Sequence, residues 1–273
     1  MAALPEFEVF ALRYASVERR ASENFLMHDV HDGPMALDFY FWLIRGNGRT
    51  ILVDTGFSTC SSRQRGRSFL QEPLDALAAM DIRADDAQDL ILTHLHYDHA
   101  GNVDAFPRAR VHLQDAEMNY ATGRFMCHRA LRNFFSVDDV ATVLRRVYAE
   151  QVQFHDGDAT LHPGIELYRV GGHTAGLQVV RVHTRRGWIV LASDALHYYR
   201  NYQTDNPFPG IFNVGEMMEG YRRLARLVET EDHIVPGHDP QVAERYPRVA
   251  GNKAEAFILH EPPKPWESSH EPA

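Results

Sequence analysis

His94, His96, Asp98 and His99 fall within one short run, His94-Leu95-His96-Tyr97-Asp98-His99, with Gly101 just beyond it. Imidazole nitrogens and a carboxylate so closely spaced suit a divalent metal such as zinc, iron, manganese or cobalt. In extended backbone, residues i and i+2 point the same way, so His94 and His96 can converge on one point. After the chain turns, Asp98 and His99 can face a second point nearby. A pair of divalent ions about 3.5–4 Å apart turns a shared water into hydroxide at neutral pH, and no serine nucleophile is then required.

Three more candidate ligands sit at strand ends or in glycine-containing turns. His173 stands in Gly171-Gly172-His173-Thr174-Ala175-Gly176, Asp194 follows the apolar run Trp188 to Ala192, and His238 follows Ile234-Val235-Pro236-Gly237.

The elements that must position these residues can be read from periodicity. Strands are expected at Glu8 to Tyr14, Leu37 to Ile44, Thr50 to Asp54, Leu90 to Thr93, Ala109 to Leu113, Ile165 to Val170, Leu177 to His183, Trp188 to Ala192 and His233 to Val235. Gly46-Asn47-Gly48 signals a hairpin. Helices are expected over Glu72 to Met80, within 115–150, and over Val214 to Val228. Residues 15–36 read as a long loop and 57–68 as a polar surface loop. Strands on both sides of a helical stretch predict two β-rich halves and a sandwich of sheets flanked by helices. One domain is expected over 1–259, with the helical insertion at about 115–150 near the site. The Pro-rich stretch 260–273 reads as a mobile tail or a surface-hugging arm.

Composition narrows the function. The chain has 273 residues, 44% of them hydrophobic, and a formal net charge of -9. An acidic protein without a basic stripe argues against nucleic acid as a partner. No apolar stretch is long enough for a membrane span. Cys60 and Cys127, the only cysteines, form no C-x-x-C pair. They suit a reducing cytoplasm, and the acidic, apolar-poor N-terminal stretch does not read as a secretion signal. Monomer and homodimer are equally compatible with the pattern.

The order H-x-H-x-D-H, G-H-T-x-G, S-D and G-H-D resembles the metallo-β-lactamase superfamily of hydrolases, from Leu37 to about His238. Val53-Asp54-Thr55-Gly56 is similar to that family's early strand-and-turn element. The resemblance implies an αββα sandwich of two mixed β-sheets flanked by helices, with two metal ions at one edge. It implies His94, His96 and His173 on the first ion, Asp98, His99 and His238 on the second, and Asp194 bridging. Zn²⁺ is the leading identity, with Fe, Mn and Co as alternatives. Asp54 then orients a ligand from outside the coordination sphere, and Asp98 carries the nucleophile's proton to the leaving group.

Within the superfamily the chain is most similar to the N-acyl homoserine lactonase, or quorum-quenching, group. The similar features are Phe39-Tyr40-Phe41-Trp42, the run from His94 to Asn102, Gln178 and Gly237-His238-Asp239. The implied reaction is the opening of an N-acyl homoserine lactone or related small lactone. The alternatives are another cyclic or activated ester, a thioester as in glyoxalase II, or a phosphoester. Class B β-lactamases have Cys where Asp194 stands, and the diiron oxidoreductases have Glu where His96 stands. One departure is notable. Those lactonases place Tyr three residues after the bridging Asp to contact the lactone carbonyl, and here that residue is His197, followed by Tyr198. Either is expected to take that catalytic contact. Phe25, Met27 and Trp42 are expected to wall an apolar substrate pocket.

Overall fold

Alternation along the first strands explains how one sheet is buried on both sides. In β1 (Glu8–Val17), Val9 and Ala11 face one way while Phe10, Leu12 and Tyr14 face the other. In β2 (Leu37–Gly46), Tyr40, Trp42 and Ile44 alternate in the same manner with Phe39, Phe41 and Leu43. A strand buried on both faces carries a continuous apolar run, as this one does.

The computed structural model describes residues 3–27 and 32–266. The remaining strands are β3 (Arg49–Val53), β4 (Asp89–Ile91), β5 (Arg110–Gln114), β6 (Val152–His155), β7 (Ala159–His162), β8 (Ile165–Arg169), β9 (Gln178–Thr184), β10 (Gly187–Ser193), β11 (Ile234–Pro236) and β12 (Ala256–Ile258). A seven-stranded sheet runs β12-β1-β2-β3-β4-β5-β6, and a five-stranded sheet runs β11-β10-β9-β8-β7. Both are mixed. β3 to β6 pair in parallel in the first sheet and β10 with β11 in the second, and the other pairs are antiparallel.

The helices are α1 (Thr59–Arg65), α2 (Pro73–Ala79), α3 (Asp115–Thr122), α4 (Arg129–Arg132), α5 (Val137–Tyr148), α6 (Tyr199–Gln203), α7 (Val214–Arg226) and α8 (Gln241–Arg245). Leu77 of α2 and Val143 of α5 pack with Leu12, Phe41 and Val111 on the outer face of the first sheet. Met217, Tyr221 and Leu224 of α7 cover Val179, Val190 and Ala192 on the outer face of the second. Between the sheets, Val9, Trp42 and Val53 meet Leu167, Val180 and Leu191. This is the αββα sandwich. At the edge away from the histidine run, Asp89 ties the layers together. Its Oδ1 lies 3.0 Å from His112 Nε2 of β5, and its Oδ2 lies 2.8 Å from His162 Nε2 of β7.

Several expectations need correction. Residues 57–68 contain α1 rather than only loop. Ser58 Oγ accepts the Ser61 N–H at 3.1 Å, and Gly66 closes the helix in the left-handed conformation. The helix buries only Ser61 and Ser62, so no apolar stripe announced it. Residues 15–36 are not all loop: β1 runs on to Val17, and a 3₁₀ turn spans Ala21–Glu23. β6, β7 and β12 went unanticipated because they are short sheet-edge strands with little alternation. The described part of the 260–273 stretch hugs the surface. The Val9 N–H donates to His260 Nδ1 at 2.9 Å, and the Arg245 guanidinium sits 3.6 Å from the Trp266 ring centroid. Residues 267–273 lie outside the described residues. Among the described residues no helix is long and apolar enough to cross a membrane.

Candidate metal centre

The site forms where several strands end on one edge of the sandwich. Asp54 follows β3, the His94–His99 run follows β4, His173 lies between β8 and β9, Asp194 follows β10, and His238 follows β11. Cross-sheet bonds hold that edge together. The Gln178 N–H donates to the Thr93 carbonyl at 3.0 Å, its side-chain amide donates to the Leu92 carbonyl at 2.8 Å, and Thr93 Oγ1 lies 2.9 Å from Ser193 Oγ.

Asp194 is the centre of the arrangement. Its Oδ2 lies 3.8 Å from His94 Nε2 and 3.1 Å from His173 Nε2. Its Oδ1 lies 3.2 Å from His99 Nε2 and 3.0 Å from His238 Nε2. His96 Nδ1 is 2.9 Å from His173 Nε2, and Asp98 Oδ2 is 3.8 Å from His99 Nε2. Three overlapping groups with metal-holding geometry result among the described residues: His94, His96, His173 and Asp194; Asp98, His99 and His238; and Asp194, His197 and His238.

The second ring nitrogens are tethered. His99 Nδ1 lies 2.8 Å from Asp54 Oδ2, His238 Nδ1 lies 2.7 Å from the Asp38 carbonyl, and His94 Nδ1 lies 3.1 Å from Thr93 Oγ1. Asp54 is itself anchored by the Thr93 N–H and hydroxyl, each at 2.8 Å. Tethering one nitrogen turns the other toward the centre. There, the Nε2 atoms of His94 and His99 are buried with no hydrogen-bond partner. Buried nitrogens without partners are costly unless something else satisfies them. The donor set of imidazoles and carboxylates, with these open Nε2 atoms, fits divalent metal ions.

The electrostatics divide the candidate ligands: against the opposing effect of burial, Asp194 holds His99 and His238 above the ordinary histidine value, toward the protonated form that a bound cation would displace. Burial, reinforced by neighbouring imidazoles, holds His94 and His96 well below the ordinary histidine value, so both are neutral, the ligand form. Burial opposes the charge on Asp194, but His197, His238, His99 and His173 hold its carboxyl well below the usual carboxylate range.

His197 also belongs to this cluster. Its Nε2 lies 3.1 Å from Asp194 Oδ2, and its ring stacks on Phe208 at 3.9 Å with an interplanar angle of 6°. Burial pushes its imidazole down to about 3. Tyr198 does not share the cleft. Its side chain is buried in the outer core and its hydroxyl donates to the Ala36 carbonyl at 3.2 Å, so the contact expected of it cannot form from this position.

The expected pocket wall also needs correction. Trp42 is fully buried in the core between the sheets, because its place in the β2 alternation points it away from the cleft. Phe25 is buried under the Arg200 guanidinium, and Met27 is 56% exposed with its backbone tied to Asn206. The cleft is instead walled by Val17, Leu37, Phe39, Phe134 and Phe208, with Arg19 and Arg67 among its lining residues. Sequence reading missed these because they come from separate segments and share no spacing.

Glu117 of α3 was also missed. Fully buried, it accepts the Leu95 N–H at 2.9 Å through Oε1, and the Thr174 hydroxyl at 2.6 Å and Gly176 N–H at 3.0 Å through Oε2. One carboxylate therefore clamps the loops carrying His94, His96 and His173. In sequence it reads as an ordinary acid in the first turn of a helix.

Residues 40–243 match the family model for the metallo-beta-lactamase superfamily, and the chain belongs to this superfamily of metal-dependent hydrolases. It is 26% identical over 223 residues to an N-acyl homoserine lactonase of a Bacillus species, covering 74% of this chain and 82% of that one. It is 25% identical over 221 residues to N-acyl homoserine lactonase AiiA of Bacillus thuringiensis subsp. kurstaki, with the same coverage of 74% and 82%. Among solved structures, a quorum-quenching N-acyl homoserine lactone lactonase superposes with a TM-score of 0.72 at 23% identity, covering 88% of this chain and 95% of that one. An N-acyl homoserine lactone hydrolase with the product N-hexanoyl-L-homoserine at its catalytic metal center superposes with a TM-score of 0.71 at 22% identity, over 88% and 95% of the two chains.

Proposed function

We propose that this chain hydrolyses a small lactone, or a closely related activated ester, at a two-metal centre. The supporting observation is the division of Asp194: Oδ2 lies toward His94 and His173, Oδ1 toward His99 and His238. In this reading His94, His96 and His173 hold one ion, Asp98, His99 and His238 hold the other, and Asp194 is shared. The lactonase relatives support the substrate class.

A pair of bound divalent ions supplies Lewis-acid activation of water and of the acyl oxygen. The protein's own groups do the rest. Asp98, on the cleft wall, takes a proton from the attacking water as its oxygen bonds to the acyl carbon. The ring C–O bond then breaks, and the same proton goes to the departing alkoxide, giving a hydroxy acid. His197, lining the cleft and bonded to Asp194, takes the place at the acyl oxygen that Tyr occupies in the resembling lactonases. Leu37, Phe39, Phe134 and Phe208 limit water around the reacting bond.

The test is a panel of lactones varying in ring and acyl chain, with thioester and phosphodiester comparators, run on protein of measured metal content. Lactone opening that exceeds the other activities supports the reading. Faster cleavage of the thioester or phosphodiester replaces it with that hydrolase class.

A further inference from the structure

Two arginines line the cleft, and neither belongs to the candidate metal-ligand groups, although Arg67 hydrogen-bonds the buried Tyr97 hydroxyl. Arg19 follows β1, and Arg67 follows the Gly66 turn that ends α1. Arg19 is held in place: its Nη2 donates to the Glu23 carbonyl at 2.7 Å, and its Cζ sits 5.1 Å from the Phe208 ring centroid. Phe208 stacks on His197, and His197 stacks on His238 at 5.2 Å and 28°. A column of flat groups thus runs from the partly exposed Arg19 guanidinium to the buried His238. Arg67 is fixed at its backbone, where its N–H donates to the Ser62 carbonyl at 2.9 Å and its carbonyl accepts the Ser62 hydroxyl at 2.6 Å.

Neither guanidinium has a carboxylate partner among the described residues, and the Nε–H of each is buried without an acceptor. A buried guanidinium N–H left unpaired carries a desolvation cost that an anion would relieve. Two planar cations that no acid among the described residues neutralises, beside a hydrolytic centre, form a receptor for an oxyanion. We infer that Arg19 and Arg67 form an anion subsite, and that the preferred substrate is a lactone or ester bearing a carboxylate or phosphate beside the scissile ring. The inference rests on the proposed hydrolysis and names the substrate class for that same site.

The experiment compares matched γ-lactones that differ only in one substituent: carboxylate, phosphate monoester or neutral carboxamide. They are assayed with metal-loaded wild-type protein and with Arg19→Gln, Arg67→Gln, Arg19→Lys and Arg67→Lys. We expect the wild type to favour one of the charged lactones over the amide by about tenfold or more in kcat/KM, in line with charged hydrogen bonds. The favoured oxyanion identifies the source. The Gln variants should lose most of that ratio through KM, and the Lys variants should keep part of it. A wild-type ratio near one, or a ratio kept in both Gln variants, overturns the subsite. If no lactone opens, the proposed function falls, and calorimetry with tetrahydrofuran-2-carboxylate and its carboxamide still decides the subsite. Tighter binding of the carboxylate, weakened by the Gln changes, supports it, and equal binding in all proteins overturns it.

Discussion

Glu117 and Leu95 are joined by a hydrogen bond of 2.9 Å from the backbone N–H between two candidate metal ligands to a fully buried carboxylate. With Thr174 and Gly176 on its other oxygen, Glu117 sets the relative position of the histidine loops. Glu117→Ala leaves those donors buried and unpaired, and should weaken metal binding about 10–100-fold and lower Tm. Glu117→Gln, which keeps an acceptor oxygen, should lose less. Metal titration with a fluorescent chelator competitor measures this. Full metal affinity in the Ala variant would show that the clamp does not matter to the site.

Gly176 permits that clamp to close. A methyl group there would lie 2.1 Å from the Glu117 backbone nitrogen and 2.5 Å from its Cα, where only backbone could yield. Gly176→Ala should therefore destabilise the protein by about 3 kcal/mol or more. Gly33, with no described atom within 4 Å of an added methyl, is the control, and Gly33→Ala should stay within about 0.5 kcal/mol of wild type. Urea unfolding of the two variants decides the comparison.

Asp139 gives a pH signature separate from the metal centre. Burial pushes its carboxyl up to about 6, and its Oδ2 has no hydrogen-bond partner. The unfolded value is about 3.9. Between these values the native state holds the proton more tightly, so its contribution to stability is complete at low pH and is lost as pH rises through about 6. Asp139→Asn should stabilise the protein at pH 7.5 by about 1–2 kcal/mol, allowing for residual solvent screening. The gain should vanish near pH 4. Denaturation of both proteins across that range measures the difference, and a gain independent of pH would remove the titration from the explanation.

Removing metal tests the open Nε2 atoms of His94 and His99. Chelator treatment should abolish hydrolysis and lower Tm, and added Zn²⁺ should restore both. Elemental analysis of active protein should give two ions per chain. Activity and Tm that survive complete metal removal would refute the metal-dependent reading.

The fold was legible where burial imposes a period. The β2 run, apolar at every position from Phe39 to Ile44, could only be a strand buried on both sides, and α7 showed its Met217-Tyr221-Leu224 stripe. That the candidate ligands cluster was legible because metal-binding residue types are few and fall at strand ends. What escaped lacks such a rule. α1 buries only serines, and β12 exists because β1 offers it an edge. Glu117, Arg19 and Phe208 reach the site through tertiary packing, and nothing in their neighbours along the chain marks them. Trp42 misled for the opposite reason: it has the composition of a binding wall but the wrong parity in its strand.

The pairing of β12 with β1 has a consequence for how the chain assembles. Phe10 to Leu12 must wait for Ala256 to Ile258, almost the whole length of the chain away. During synthesis β1 and β2 can zip together early, but the other edge of β1 keeps its backbone groups unpaired until β12 leaves the ribosome. That is a contact of very high sequence separation, and such contacts slow folding. The nascent chain thus passes through a long interval with a bare hydrophobic strand edge, when a chaperone matters most to it and a neighbouring nascent copy is most dangerous.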